Sequence, residues 1–431
     1  MSAPISRPFT KPQFEVADIF RLFGEEYRKN HCLPLSTIRI MWEIEHCRTS
    51  ELGGHLRQCD ECDHRHNEYN SCCNRHCPKC QALAKARWLE ARKAELLPVG
   101  YFHNVFTIPH EFNPLVLRNK KVVLDILFRA VKETLLAFGL DSKWHLSGQL
   151  GFMAILHTWD QMLNEHPHLH LIIPAGALSA DKKKWTSTRK TKCRKTGIAK
   201  DFLFRVEPLS QTFKGKFLDF LKKAYKKGKL KFSGDIQHLA EKNEFNRFCS
   251  PLYDKKWVVY SKKPFKGAEH VFDYLGRYVH RVAISNNRIV DVKDGKVTFT
   301  WKDRNDNYKT KEKTVPADVF ISRFLLHELP SGFVRIRYYG FMCNRFRQEN
   351  LKIIREILGV KETSEQSSKS ALELIKELTG IDLSLCPKCQ KGHMKAISTV
   401  KKPTVYTIMK KILKSRINCN QRFTFIPFST E

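Results

Sequence analysis

Residues His166-Pro167-His168-Leu169-His170, which open the apolar run 169–174 (LHLIIP), constrain this chain more than any other segment. Such a run reads as a β-strand, and a strand sends alternate side chains to opposite faces. His168 and His170 therefore project together while Leu169 turns to the core. Neutral imidazoles are good ligands for a divalent cation, and two on one strand face make half of an open metal site. With 18 His in 431 residues, three at alternate positions should arise by chance only about 0.03 times per chain. The bland alternative is an exposed polar strand end.

About a hundred residues later comes Tyr274-Leu275-Gly276-Arg277-Tyr278-Val279-His280-Arg281. On a helix the tyrosines, at i and i+4, share one face with Cβ atoms roughly 5–6 Å apart, and Arg277 and Arg281 form a second such pair. Two phenols beside two guanidiniums suit nucleophilic attack on a phosphodiester, with the arginines holding phosphate oxygens. Tyrosine at helical spacing more often belongs to a core stripe. It is the histidine cluster that gives the pair its chemical meaning.

A second metal chemistry is written in the cysteines. Cys59-x-x-Cys62 is followed by Cys77-x-x-Cys80, a spacing that predicts four thiolates around one structural Zn²⁺ with no open coordination position. Spare ligands lie nearby at Cys47, His55, His64, His66, Cys72, Cys73 and His76, leaving room for a second zinc or for an exchange of ligands. A third knuckle, Cys386-Pro387-Lys388-Cys389, has His393 near it, and Cys343 or Cys419 could complete it. Cysteines used in C-x-x-C pairs suit metal ligation in a reducing cytoplasm better than disulfides.

Composition points the same way. Lys+Arg 76 against Asp+Glu 44 gives a net charge of +32 and a pI near 9.7, which in a folded chain calls for a polyanion, most simply nucleic acid. Dense basic runs occur at 182–195, 222–231 and 401–416. The first reads as a loop, either laid on a DNA backbone or simply solvated. Arg75 and Lys79 in the cysteine region are candidate phosphate contacts. Residues 1–11 lack the apolar stretch of a signal peptide, and the sequence shows no apolar run of membrane-spanning length and no Walker A stretch, so a cytoplasmic, nucleoid-associated protein without a nucleotide cofactor is expected.

Periodicity predicts helices over 14–29, 35–45, 82–97, 115–138, 211–227 and 270–280, and strands over 101–108, 150–158, 168–174, 202–206 and 257–261. The turn Asp294-Gly295 predicts a hairpin between 288–292 and 296–301. This alternation fits an α+β fold. The expected organisation is a helical and zinc-binding module over 1–97, a catalytic domain over 98–345 with a basic insertion near 180–235, and a C-terminal helical tail over 346–431. A polar, Ser-rich stretch at 360–370 reads as the linker.

Together these residues resemble the HUH rolling-circle transposases of the two-tyrosine class carried by bacterial insertion sequences. His168-Leu169-His170 matches the His–hydrophobic–His motif, and Tyr274 with Tyr278 matches the two-tyrosine helix. Segments 71–81, 101–115, 156–163, 277–289 and 323–344 look like its recurring stretches, so the likeness spans roughly residues 15–345. The resemblance implies a central antiparallel sheet with the histidine strand in its middle, the tyrosine helix across it, and a zinc-binding, DNA-binding module ahead of the nuclease. It also implies Mg²⁺- or Mn²⁺-dependent nicking of single-stranded DNA at transposon ends through a 5′-phosphotyrosine. Two imidazoles rarely finish a metal site. His157, on the preceding strand, is the first candidate for third ligand, then Gln161, then His166. The rival readings are a plasmid replication initiator or relaxase, with the same chemistry, and a zinc-dependent DNA-binding protein without catalysis.

Overall fold

A computed structural model of the chain describes residues 12–93, 95–192, 199–265, 282–360, 369–404 and 407. The N-terminal part opens with α1 (Val16–Asn30), where Asp18 accepts a hydrogen bond from the Glu15 backbone N–H at 2.9 Å in a capping box. α2 (Leu35–Glu45) follows. A hairpin of β1 (Gly54–Cys59) and β2 (Arg65–Tyr69) leads to α3 (Pro78–Lys93). Sequence periodicity placed that last helix over 82–97. It starts a turn earlier because proline, lacking an N–H, is at home in a first helical turn.

Next come β3 (Tyr101–Thr107), α4 (Asn113–Arg118), α5 (Lys120–Leu140), β4 (Gly151–Trp159) and β5 (Glu165–Pro174). The single helix expected over 115–138 is broken at Asn119. Its side chain accepts from the Lys231 N–H at 2.7 Å and donates to the Lys231 carbonyl at 2.9 Å, so a distant loop is secured there at the expense of helix continuity. Short pairs β6 (Gly176–Leu178) with β7 (Trp185–Ser187) and β8 (Arg189–Lys192) with β9 (Ala199–Phe202) come next. The basic run 182–195 is thus largely strand-paired up to residue 192 rather than loop, and its last three residues lie outside the described residues. The strand expected over 202–206 ends at Phe202, because Arg205 already caps α6 (Val206–Lys226).

α7 (Lys242–Asp254), with only Phe245, Cys249 and Leu252 buried, escaped the sequence reading, and β10 (Val259–Phe265) follows. β11 (Ile289–Lys293) and β12 (Lys296–Asp303) form the predicted hairpin, with Asp294 and Gly295 at φ 50° and 70°, the positive values a tight two-residue turn demands. β13 (Lys309–Pro316) extends it; its sequence KTKEKTVP is an exposed edge with no apolar alternation, so nothing announced it. α8 (Ala317–Leu325), β14 (Ile336–Gly340), α9 (Arg347–Ile357), α10 (Ala371–Thr379) and β15 (Met394–Val400) complete the order.

The architecture is α+β, as expected. Its main sheet is antiparallel and five-stranded, in the order β10-β3-β5-β4-β14, so the histidine strand is central. One face carries Phe102, Phe106, Phe152, Leu156, Leu169 and Leu171 into a core shared with α5 and α6. Truncating Leu169, wholly buried there, would cost about 2–5 kcal/mol. The opposite face carries Tyr101, Met153, Ile155 and Ile172 against Trp88 and Leu89 of α3. A separate apolar cluster joins α1 and α2 to the β12–β13 hairpin and α8, with Phe20 edge-on to Phe324 at 5.4 Å. The N-terminal helices are therefore packed onto the unit that follows the sheet. Among the described residues no helix is long and apolar enough to cross a membrane.

Candidate active site

The sheet register does what parity in one strand could only suggest. Across the β4–β5 pair, His157 faces His168, and Ile155 faces His170. The metal-binding nitrogens of His157, His168 and His170 all lie within 4.8 Å of one another. His168 Nε2 and His170 Nε2 are 3.1 Å apart. Two nitrogens about 2.1 Å from one cation and at right angles are separated by about 3.0 Å, so this pair is spaced for a shared ion.

Backbone and neighbouring side chains fix which nitrogen of each ring is available. His168 Nδ1 is 2.6 Å from the His166 carbonyl, so Nδ1 carries the proton and Nε2 presents its lone pair. His170 Nδ1 is 2.9 Å from Nε2 of His103, on the neighbouring strand β3 and only 3% exposed. For His170 to ligate through Nε2, its Nδ1–H must donate to an unprotonated His103 Nε2. His103 thus stands where a partner that orients a metal-bound imidazole would stand. Sequence reasoning missed it, although it sits at a legible strand position; only the sheet order reveals that β3 borders β5.

The turn joining the two histidine strands is held tightly. Asp160 Oδ1 accepts from the N–H groups of Met162 and Asn164, both at 2.8 Å. Leu163, at φ 64° in the left-handed region, is completely buried in the N-terminal cluster, which stabilises a conformation that otherwise costs energy. Arg288 donates to the Gln161 carbonyl at 2.6 Å, and Arg323 to the Met162 carbonyl at 3.2 Å. Gln161 thus lies in the clamped turn. The His166 ring stands 5.0 Å from that of His168, outside the three-imidazole group. Of the three candidates, His157 is the one the sheet brings together with His168 and His170.

Beneath the start of β5 lies a buried polar group. Lys120 Nζ donates to the carbonyls of Leu326 at 2.6 Å and Glu328 at 2.9 Å, and burial depresses its pKa. Burial pushes the Glu165 carboxyl up to about 8, with Lys120 opposing. His327 is driven down to about 3 by burial; its Nε2–H donates to the Leu163 carbonyl at 3.1 Å, so Nδ1 accepts from the Thr158 hydroxyl at 3.2 Å. Near neutral pH Glu165 is protonated and His327 neutral, so their 3.6 Å approach is no ion pair.

The cysteines group differently from their order in the sequence. Cys59 and Cys62 do not meet Cys77 and Cys80. One quartet is Cys47, Cys72, Cys77 and Cys80, and the other is Cys59, Cys62, Cys386 and Cys389. The Sγ atoms of Cys47 and Cys72 each lie 3.5 Å from that of Cys80, close to the ~3.8 Å edge of a tetrahedron with 2.3 Å Zn–S bonds. The regrouping has a physical cause: β1 hydrogen-bonds to both β2 and β15, which carries the 59–62 knuckle toward the C-terminal one and away from α3.

Two expected phosphate contacts are committed elsewhere. The Arg75 guanidinium donates to the carbonyls of Phe333 at 2.6 Å, Pro330 at 2.6 Å and Leu329 at 3.2 Å, and burial lowers its pKa. Lys79 pairs with Glu15 at 2.7 Å. Both tie the cysteine module to its surroundings, a role that a +32 charge on the whole chain could not distinguish from DNA contact. Tyr274, Arg277, Tyr278 and Arg281 lie outside the described residues, as does Cys419.

Comparison with known proteins bears on this combination of a histidine sheet with cysteine clusters. Residues 151–350 match the family described as "Putative transposase", and residues 19–108 match the "Transposase zinc-binding domain". "Putative transposase y4qJ" of Sinorhizobium fredii is 48% identical over 384 residues, covering 88% of this chain and 94% of its own. The chain belongs to the IS91-type family of insertion-sequence transposases. The "Transposase for insertion sequence element IS801" of Pseudomonas savastanoi is 26% identical over 346 residues, with 80% and 79% of the two chains covered. No solved structure matches the chain. The zinc-binding domain of this transposase contains all four cysteines of the first quartet and two of the second.

Proposed function

We propose that this transposase nicks single-stranded DNA at the ends of its element and transfers the strand through a 5′-phosphotyrosine. The observation that carries the reading is the three-imidazole group on adjacent strands, two of its Nε2 atoms 3.1 Å apart. A Mg²⁺ or Mn²⁺ ion held by His157, His168 and His170 would offset the negative charge that builds on the scissile phosphate. His103 and the His166 carbonyl keep the His170 and His168 rings turned with Nε2 outward.

In this reading Tyr274 or Tyr278 supplies the nucleophile. Its phenolate oxygen bonds to phosphorus, the P–O3′ bond breaks, and the departing 3′-oxygen takes up a proton. The phosphotyrosine keeps the energy of the broken phosphodiester, so rejoining needs no nucleotide cofactor. A second tyrosine four residues away in the sequence permits a second transfer while the first DNA end stays attached. Arg277 and Arg281 bracket Tyr278 in sequence and favour it as the first nucleophile by holding phosphate oxygens.

The test is incubation with a hairpin-bearing single-stranded oligonucleotide and Mn²⁺, resolved on a denaturing gel. The expected product is a covalent protein–DNA adduct, absent from the Tyr274→Phe, Tyr278→Phe double variant. An adduct that survives in that variant, or a DNA-linked peptide lacking residues 274–278, rejects the tyrosine assignment. Gel retardation without any adduct returns the chain to the non-catalytic DNA-binding reading.

A further inference from the structure

The knuckle Cys386-x-x-Cys389 lies far outside the zinc-binding domain matched at residues 19–108. We infer that it joins Cys59-x-x-Cys62 in a second, closed tetrathiolate zinc site that fastens the C-terminal segment to the N-terminal module. Cys59 Sγ is 3.7 Å from Cys389 Sγ, and Cys62 Sγ is 3.7 Å from Cys386 Sγ. These separations are far too long for S–S bonds and match the ~3.8 Å edge of a ZnS₄ tetrahedron.

The two knuckles are built alike, although 324 residues separate Cys62 from Cys386. In each, the N–H two residues after the first cysteine points at that cysteine's sulfur. Glu61 N–H donates to Cys59 Sγ and Lys388 N–H to Cys386 Sγ, both at 3.4 Å. In each, the residue after the second cysteine turns left-handed, Asp63 at φ 53° and Gln390 at φ 58°. Gly392 N–H also reaches Cys389 Sγ at 3.4 Å. N–H groups aimed at sulfur favour thiolate over thiol, the form that binds metal. Gly392 itself is tied to this geometry: a Cβ there would stand 2.5 Å from Cys59 Sγ.

The chain brings the halves together through β15, which runs antiparallel to β1 with Cys59 opposite Met394 and Gly54 opposite Val400. Asp60 reinforces the join, its carboxylate accepting from the His393 N–H at 2.7 Å and its own N–H donating to the His393 carbonyl at 3.2 Å. Arg57 adds a bond to the Met394 carbonyl at 3.3 Å, and Lys395 pairs with Asp60 at 3.3 Å. Among the described residues, the buried members of this corner's apolar cluster are Cys59, Cys386 and Met394, too few for an independent core. Four thiolates converging without a cation would repel one another, whereas Zn²⁺ bonded to all four replaces the missing core. With all four positions filled by sulfur the site has no place for substrate, so its role is structural.

The test is metal analysis and cobalt substitution on the full-length protein. Two zinc ions per chain are expected. The Cys386→Ser, Cys389→Ser variant should retain one, and reconstitution with Co²⁺ should give half the thiolate-to-cobalt charge-transfer absorbance of the parent. Limited proteolysis should then cut within 381–404 at least tenfold faster, with the α1–α2 region, 16–45, as resistant as before. Unchanged zinc content in the double variant overturns the inference. So does one zinc in the parent, or iron in place of zinc. Should the double variant aggregate, Cys389→His, which keeps a ligand, must recover the second metal with a visibly altered cobalt spectrum; failure to do so also counts against the site.

Discussion

The imidazole group and the cysteine quartets are both candidate metal centres, yet they stand in opposite relations to the fold. His157, His168 and His170 lie on strands whose hydrogen bonds, core contacts and turn are complete without any ion. The sheet makes that site, and ring orientation is set by the partners of Nδ1. The quartets reverse the dependence. Their cysteines come from a helix end, loops and remote knuckles, and around the second of them there is almost no apolar core. There a bound metal would make the fold. A site built by the sheet has an affinity the protein can spare for substrate chemistry, while a site that builds the fold surrenders every coordination position to the chain.

That contrast predicts opposite outcomes on losing a ligand. His168→Ala or His170→Ala should lower nicking about 10³-fold or more, because positioned charge acts on the transition state, while leaving DNA affinity within a few-fold. Melting temperature should hardly move, since the sheet is complete without the ion. Adduct formation, DNA titration and thermal unfolding on the same preparations check this; robust cleavage by either variant at ordinary metal concentrations removes the metal assignment. Cys77→Ser should do the reverse, releasing about one zinc equivalent and unfolding the surrounding module. Cys77 is wholly buried in the cluster shared by α1, α2 and α8, so loss of order there should spread to the helices. Zinc content together with helical circular dichroism before and after chelation reads that spread. A chelated protein with intact structure breaks the contrast.

A milder change sharpens the imidazole side. His103→Phe keeps bulk beside His170 but removes the acceptor that fixes its tautomer. Mn²⁺ affinity should fall about 10–100-fold, the usual range for a residue that orients a ligand. His103→Gln, whose amide oxygen can accept the same bond, should regain part of it. A metal titration in which both variants match the parent would show that the His103 contact is mere packing.

What was legible in the sequence follows the same division. The strand parity of His168 and His170, the hairpin bringing in His157, the Asp294-Gly295 turn and the α+β layout are local facts, and local periodicity reported them. Helix α2 was read to its residue limits because its apolar stripe and the proline before it are both local. Cysteine partnership is not local. Spacing favours the nearest knuckles, but β1 pairs with a strand more than three hundred residues away, and only that pairing separates Cys59 and Cys62 from Cys77 and Cys80. The partners of Arg75 and Lys79 were illegible for a related reason, since a cation that binds carbonyls or a carboxylate of its own chain looks no different in sequence from one that binds phosphate. His103 and Asn119 likewise acquire their roles from neighbours that no periodicity names.

The smallest expected effect concerns the polar group under β5, which supports the imidazole site from the far side of the sheet. Burial raises the Glu165 carboxyl from an ordinary 4.5 to about 8, against the opposing field of Lys120. His327 stands 3.6 Å from this carboxyl, and the Glu328 charge acts in turn on Lys120. Between those pH values the unfolded chain gives up the proton that the native protein keeps, so the native state binds more protons and stability falls as pH rises. The contribution is fully present below about pH 4.5 and is lost as pH rises through about 8. Glu165→Gln preserves the neutral shape at every pH and removes this slope. Its melting temperature should therefore stay near the parent's at pH 5 and exceed it by a few degrees at pH 8.5. The protein to melt keeps its zinc but has no added Mg²⁺ or Mn²⁺, so that deprotonation of the site imidazoles by bound cation does not enter. If the variant is instead less stable than the parent at pH 8.5, Glu165 is ionised in the native protein and paired with Lys120. The far side of the sheet would then be held by charge rather than by a protonated acid.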